Sequence, residues 1–195
     1  MSSAAQQYQK ILDAHRWRIT TSDYMRMAEA GTWSEDDKVE LIHGEIINMS
    51  PINSLHAGTV NRIHAFILRV LGDACIVAVQ NPIEIPDHSM PEPDIVVARY
   101  REDYYTSRHP QPDDILLIIE VADTSMPMDK HVKTPLYAEA GIPEYWIVDL
   151  QRKCIEVYRK PQKDRYTEFH EFTGADTFHC ALWEGEIRVG DLLIV

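Results

Sequence analysis

The stretch ILLIIEVA, residues 115–122, constrains the fold more than any other part of the chain. It is apolar on both faces of an extended backbone, which is how a strand reads when helices cover its sheet on both sides. Such a strand demands helices, and the flanking sequence supplies them. From Ser54 to Gly72, the apolar residues Ala57, Val60, Ile63, Ile67, Val70 and Leu71 recur at helical spacing and describe an amphipathic helix packed on a sheet. MDKHVKTPLYAEAG, residues 128–141, reads as a second helix, in which Pro135 must either kink the axis or open a new segment after Thr134.

Further strands surround the first. CIVAV, PIEI and DIVVA precede it, and EYWIVDL follows Pro143 as another buried strand, with Tyr145 and Trp146 read as core. KCIEVYR and RYTEFHEF alternate as a more exposed antiparallel pair, and the tail from Phe178 to Val195 offers more short strand-like pieces. Upstream, TSDYMRMAEAG reads as a short helix with Thr21 or Ser22 as its cap, and KVELIHGEIINM as a hairpin around a His43–Gly44 turn. The expected fold is α/β: one mixed sheet flanked by helices, with an extra antiparallel C-terminal β region. Residues 18–195 are read as a single domain, preceded by a partly ordered arm over 1–17.

Composition narrows the functional classes. The apolar runs are strand-sized, far short of the roughly 20 residues a membrane span requires, and the polar N-terminus lacks the apolar core of a signal peptide. Three distant cysteines, Cys75, Cys154 and Cys180, match no metal-ligand spacing and point to reduced thiols in a cytoplasm. The 19 Lys and Arg against 31 Asp and Glu give a net charge of −12, which as a whole argues against a dedicated nucleic-acid binder. Between Gln151 and Tyr166 the balance reverses. Arg152, Lys153, Arg159 and Lys160 there read as a solvated hairpin or, alternatively, as a phosphate-contacting flap.

Two acids carry the chemistry. Asp94 opens DIVVA after PEP, and Glu120 ends the apolar run ILLIIE. An ionised carboxylate beside apolar strands costs several kcal/mol unless it is paired or binds a metal. One such acid is commonly a structural salt bridge; two on neighbouring strands would make the oxygen-rich pocket that a hard divalent cation prefers. Asp129, Lys133 and Tyr137 recur at intervals of four after Glu120 and would share one helical face. Spacing alone leaves Lys133 either an ion-pair partner of Asp129 or a group aimed at that pocket, while Lys130 should point off the face.

PEPD at 91–94, IEVADTS at 119–125, DKHVK at 129–133 and PLYAEAGIPEYWIVDL at 135–150 form an ordered series. The series resembles the Uma2 family (DUF820) of restriction-endonuclease-like proteins. YMRMAEAG, KVELIHGEIINMSP, the helix at His56 and QNPIEIPDHSMPEPD extend the likeness over about residues 18–195. The resemblance implies a PD-(D/E)XK nuclease core in which Asp94, Glu120 and the carbonyl of Val121 hold Mg²⁺, with Mn²⁺ able to substitute. It also implies that Glu40, in VELIHGE, helps place the metal or the water. The lysine usually found two residues after the second acid is replaced by Ala122, and the matching cation is Lys133 on the following helix. His43 stands where an Asp is usual before Gly44, a departure that alters only the turn. His56, Gln80 and Asp129 fall at accessory positions. The implied activity is endonucleolytic hydrolysis, of DNA first and of RNA or branched DNA as variants, by a homodimer. The alternative from another class is a catalytically silent regulatory or protein-interaction module, which the acidic net charge favours.

Overall fold

The structure is a computed structural model that describes residues 3–34 and 36–193. The chain forms two compact units, Met1–Met49 with Pro86–Met90 and Ser50–Ile85 with Pro91–Val195. Among the described residues, no helix is long and apolar enough to cross a membrane.

The larger unit is built on a six-stranded mixed sheet. Its strands β3 (Cys75–Val79), β4 (Ile95–Arg99), β5 (Ile115–Ala122), β6 (Glu144–Asp149), β7 (Cys154–Gln162) and β8 (Arg165–Thr173) lie side by side in chain order. Every neighbouring pair is antiparallel except β5–β6. A parallel pair needs a crossover, and this one is helical. Met126–Met128 (α4), a π turn over Asp129–Lys133 and Thr134–Glu139 (α5) follow one another without a break. Pro135 explains the π turn. It cannot donate to a carbonyl one turn back, and its ring would clash with that carbonyl in a regular helix. The backbone widens instead, and the Thr134 amide reaches back to the carbonyl of Asp129. PIEI, expected as a strand, runs outside the sheet: its Ile83 amide donates to the Pro91 carbonyl at 3.0 Å.

Helix α3 (Ser54–Leu71) covers one face of the sheet. Val60, Ile63, Phe66 and Ile67 pack there against Ile95, Ile119, Trp146 and Val157. Each fully buried aliphatic side chain of this layer contributes about 1.5–3 kcal/mol relative to exposure. The other face carries Tyr145, Tyr158 and Tyr166, whose rings lie 5.8–6.5 Å apart, with Tyr137 of α5 edge-on to Tyr145 at 5.0 Å. Strands β9 (Thr177–Cys180) and β10 (Trp183–Arg188) form a separate antiparallel pair, and the tail then turns into a short helix, α6 (Val189–Leu192), where strand was expected. Residues 194–195 of that tail lie outside the described residues.

The smaller unit contains α1 (Ser3–His15), α2 (Thr21–Glu29) and the hairpin β1 (Val39–Ile42)–β2 (Glu45–Asn48). The segment read as an arm is thus helical from Ser3, as its Ala, Gln, Lys and Leu content allows; residues 1–2 lie outside the described residues. Thr20 and Asp23 cap α2 reciprocally. Ile42 pairs with Glu45 across a two-residue turn, with φ of 49° at His43 and 76° at Gly44. A Cβ at Gly44 would meet the Arg18 Cβ at 2.8 Å, so glycine is required there both by φ and by space.

The polar excursion between β4 and β5 is stapled by ion pairs. Arg101 holds Asp103, which also accepts from Ser107 at 2.7 Å, and Arg108 grips Asp114 with both nitrogens, at 2.5 and 3.0 Å. Ser107 and Arg101 hold the Asp103 carboxyl down at about 2, and the Arg108 hydrogen bond keeps Asp114 below the usual carboxylate range despite partial burial. Because both values are depressed by folding, this support is complete above the ordinary carboxylate pKa of about 4 and is lost as pH falls toward 2. Protection of the amides in residues 101–114 relative to their intrinsic exchange rates is expected to fall only below about pH 4; loss of protection beginning above about pH 5 would contradict the assignment.

Candidate active site

Register builds the site. Ile95 of β4 pairs with Ile119 of β5, so the next residues outward, Asp94 and Glu120, emerge on one face of the sheet. They are buried, at 8% and 4% exposure, and are joined through the backbone. The Asp94 amide donates to Glu120 Oε2 at 3.1 Å, and the Val121 amide donates to Asp94 Oδ2 at 2.9 Å. Strand β3 ends beside them. Gln80 takes a left-handed backbone (φ 52°), its amide donates to the Asp94 carbonyl at 3.1 Å, and its side-chain Nε2 donates to Asp94 Oδ1 at 3.2 Å.

The crossover lays a cation over the pair. Lys133 Nζ donates to Glu120 Oε1 at 3.0 Å, and both side chains are almost wholly buried. A buried ammonium and carboxylate survive in such a place only as partners. Tyr137, one helical turn later, donates its hydroxyl to the same Oε1 at 3.1 Å. Sequence reasoning placed Tyr137 on the Lys133 face without giving it a role; the spacing of four was the available signal. Asp129 is buried as well, and its carboxylate accepts from Ser125 Oγ at 2.6 Å. Lys130 points off this face, as its position in the turn requires, and pairs with the fully buried Glu156 at 2.6 Å.

His56 enters from the first turn of α3. Asn53 caps that helix, accepting from the His56 amide at 2.9 Å, and the imidazole Nε2 lies 3.0 Å from Asp94 Oδ2. Burial works against a charged ring here. The hydrogen bond and charge of Asp94, the charge of Asp129 and the Val121 carbonyl outweigh it and raise the His56 pKa above its ordinary value. Among the described residues, the buried Nδ1 of the same ring has no hydrogen-bond partner. Glu40 lies on β1 in the smaller unit, 3% exposed; only the resemblance gives it a role.

The basic stretch is partnered within the sheet. Arg152 binds Glu156 and Glu171, Arg159 binds Glu144 and Glu168, and Lys160 binds Glu168. These acids sit on β6, β7 and β8, so three of the four cations proposed as a phosphate flap already face carboxylates.

Two buried carboxylates, Asp94 and Glu120, lie at the centre of the site, with Lys133 on Glu120 and His56 on Asp94. Among the described residues, no three His, Cys, Asp or Glu side chains converge closely enough to enclose a metal by themselves. Two carboxylates, Asp94 and Glu120, suit an ion that keeps several waters, as Mg²⁺ does, rather than one that requires an all-protein cage.

Comparison with known proteins bears on the family and the fold. A family model, Uma2, described as "Putative restriction endonuclease", matches residues 21–189. No curated protein matches the chain. Among solved structures, a putative nuclease belonging to DUF820 from Anabaena variabilis ATCC 29413 is similar at a TM-score of 0.68 and 21% identity, over 89% of this chain and 97% of that one. At that identity the likeness establishes the fold.

Proposed function

The chain belongs to the Uma2 family, and from that premise we propose that it is a Mg²⁺-dependent endonuclease that hydrolyses phosphodiester bonds in DNA. The observation that carries this reading is that Glu120 accepts from both the Asp94 amide and Lys133 Nζ, which brings together the start of β4, the end of β5 and the β5–β6 crossover. Asp94, Glu120 and the Val121 carbonyl would hold the ion, which when bound supplies Lewis-acid polarisation of the phosphate and a more acidic water. Glu120 fixes Lys133, so the ammonium is already in place to orient a nucleophile or to offset charge developing on phosphate. Gln80 and His56 hold the Asp94 carboxylate in one orientation, and Tyr137 does the same for Glu120. Glu40 is retained on the family pattern alone. Cleavage of both strands of a duplex would call for two such sites, hence a homodimer.

Supercoiled plasmid incubated with rising Mg²⁺ or Mn²⁺ is expected to be nicked or linearised, and EDTA should stop the reaction. Absence of cleavage by the wild-type protein with either ion, on plasmid, RNA and branched DNA alike, would contradict the reading. The second reading, a silent interaction module, is favoured by the net charge of −12 and the paired basic stretch. It predicts no divalent-cation site dependent on Asp94.

A further inference from the structure

A cleft of about 220 Å³ opens on the same sheet face as the carboxylates. Its floor is formed by the cross-strand pairs Ala78–Val96 and Ile76–Ala98. Side chains alternate along a strand, so Val96 and Ala98 follow Asp94 on one face, at steps of about 7 Å. The Gln80–Asp94 rung, closed by the Gln80 amide on the Asp94 carbonyl, is the next one along. The cleft therefore begins where the candidate active site ends.

Its walls differ in kind from its floor. Asn81 and His109 bring hydrogen-bonding edges, and Tyr104 and Tyr105 bring rings. Tyr105 is fixed: its hydroxyl donates to the Arg99 carbonyl at 2.9 Å, and the guanidinium groups of Arg101 and Arg108 lie 5.4 and 5.6 Å from its ring centre. Tyr104 is 65% exposed, yet its backbone is held in the left-handed region, φ 49°, beside Tyr105 at 60°. Two consecutive tyrosines in that region are strained, and the Arg101–Asp103–Ser107 network keeps them there. The exposed Tyr104 ring, edge-on to Tyr100 at 6.0 Å, thus lines the cleft together with a small apolar floor and polar groups at the rim.

Resting on the nuclease reading, we propose that this cleft is a nucleobase subsite, which takes an unpaired base of the substrate strand next to the phosphate held at Asp94 and Glu120. Small apolar floor residues accept the flat face of a base, Tyr104 stacks on it, and Asn81 and His109 meet its edge. A base in a duplex has both faces covered by its stacked neighbours. Only a splayed or single-stranded base can lie on a tyrosine ring. The substrate is accordingly a strand that is unpaired at or beside the cleavage position.

Fluorescence anisotropy in EDTA tests this without turnover, using a labelled thymidine 12-mer and a labelled 12-base-pair duplex. Tyr104→Ala should weaken binding of the single strand by roughly 5- to 150-fold, the range for loss of one base–aromatic stack. The same change should leave the duplex within about twofold, and Tyr104→Phe should behave as wild type. Unchanged single-strand binding by Tyr104→Ala, or equal losses on both probes, would overturn the subsite and leave the nuclease reading standing. Failure of the wild-type protein to bind the single strand would likewise overturn the subsite, while the nuclease reading stands or falls on cleavage with Mg²⁺ or Mn²⁺. The exposure of Tyr104 makes folding of these variants a minor concern, and their unfolding midpoints should match that of the wild type.

Discussion

Replacing Lys133 with methionine is expected to destabilise the metal-free protein by about 3–5 kcal/mol, because it strands a buried charge. Glu120 is 4% exposed and accepts from Lys133, Tyr137 and the Asp94 amide. Without the ammonium, the carboxylate keeps its neutral donors but loses its counter-charge and cannot turn to water. The double variant Lys133→Met/Glu120→Gln should recover much of the loss, since the glutamine is neutral and can still accept from Tyr137. Denaturant unfolding of the four proteins in EDTA measures the coupling. Additive effects of the two changes would mean that the pair is not a unit. Cleavage should fall by about 10²–10⁴-fold in Lys133→Met, the usual contribution of a positioned proton-handling group. Activity equal to that of the wild type would remove Lys133 from the chemistry.

Asp94→Asn should show the opposite balance, with a large effect on activity and a small one on stability. The asparagine fills the same volume, and its oxygen can still accept from the Val121 amide, which donates to Asp94 Oδ2 at 2.9 Å. Its amide group then faces the Gln80 nitrogen, a donor against a donor, and costs about 1–3 kcal/mol. Removing one of several crowded carboxylates offsets part of that cost. The metal's contribution to a phosphoryl reaction is several kcal/mol, so cleavage should drop by about three decades. A variant that loses less than tenfold, with stability intact, would show that Asp94 is not a ligand.

The strand and its crossover are legible in the sequence from local patterning, whereas the role of Lys133 comes only with the family resemblance, since spacing alone leaves Asp129 as its alternative partner. The apolar run 115–122 demands a covered strand, and it becomes β5, third of six and flanked on both sides. A parallel neighbour demands a crossover, and the helical segment after Glu120 provides it. The details that escaped depend on partners distant in the chain. Arg152, Arg159 and Lys160 look like free cations until β6 and β8 bring up Glu144, Glu168 and Glu171. PIEI has strand composition, but its Ile83 bonds to Pro91 outside the sheet. The helix expected over 128–141, kinked at Pro135 or restarted after Thr134, takes the form of a π turn at Asp129–Lys133 followed by α5 from Thr134. The i,i+4 relation of Lys133 and Tyr137 survives beyond it, which is why both meet the same oxygen of Glu120.

Isothermal calorimetry with Mn²⁺ tests the central claim most directly, because it needs no knowledge of the substrate. Buried carboxylates that already draw in Lys133 and His56 should bind the ion in the wild-type protein, and Asp94→Asn should lose that binding. Wild-type protein that takes up no ion, or a variant that binds it as well as wild type does, would contradict the account.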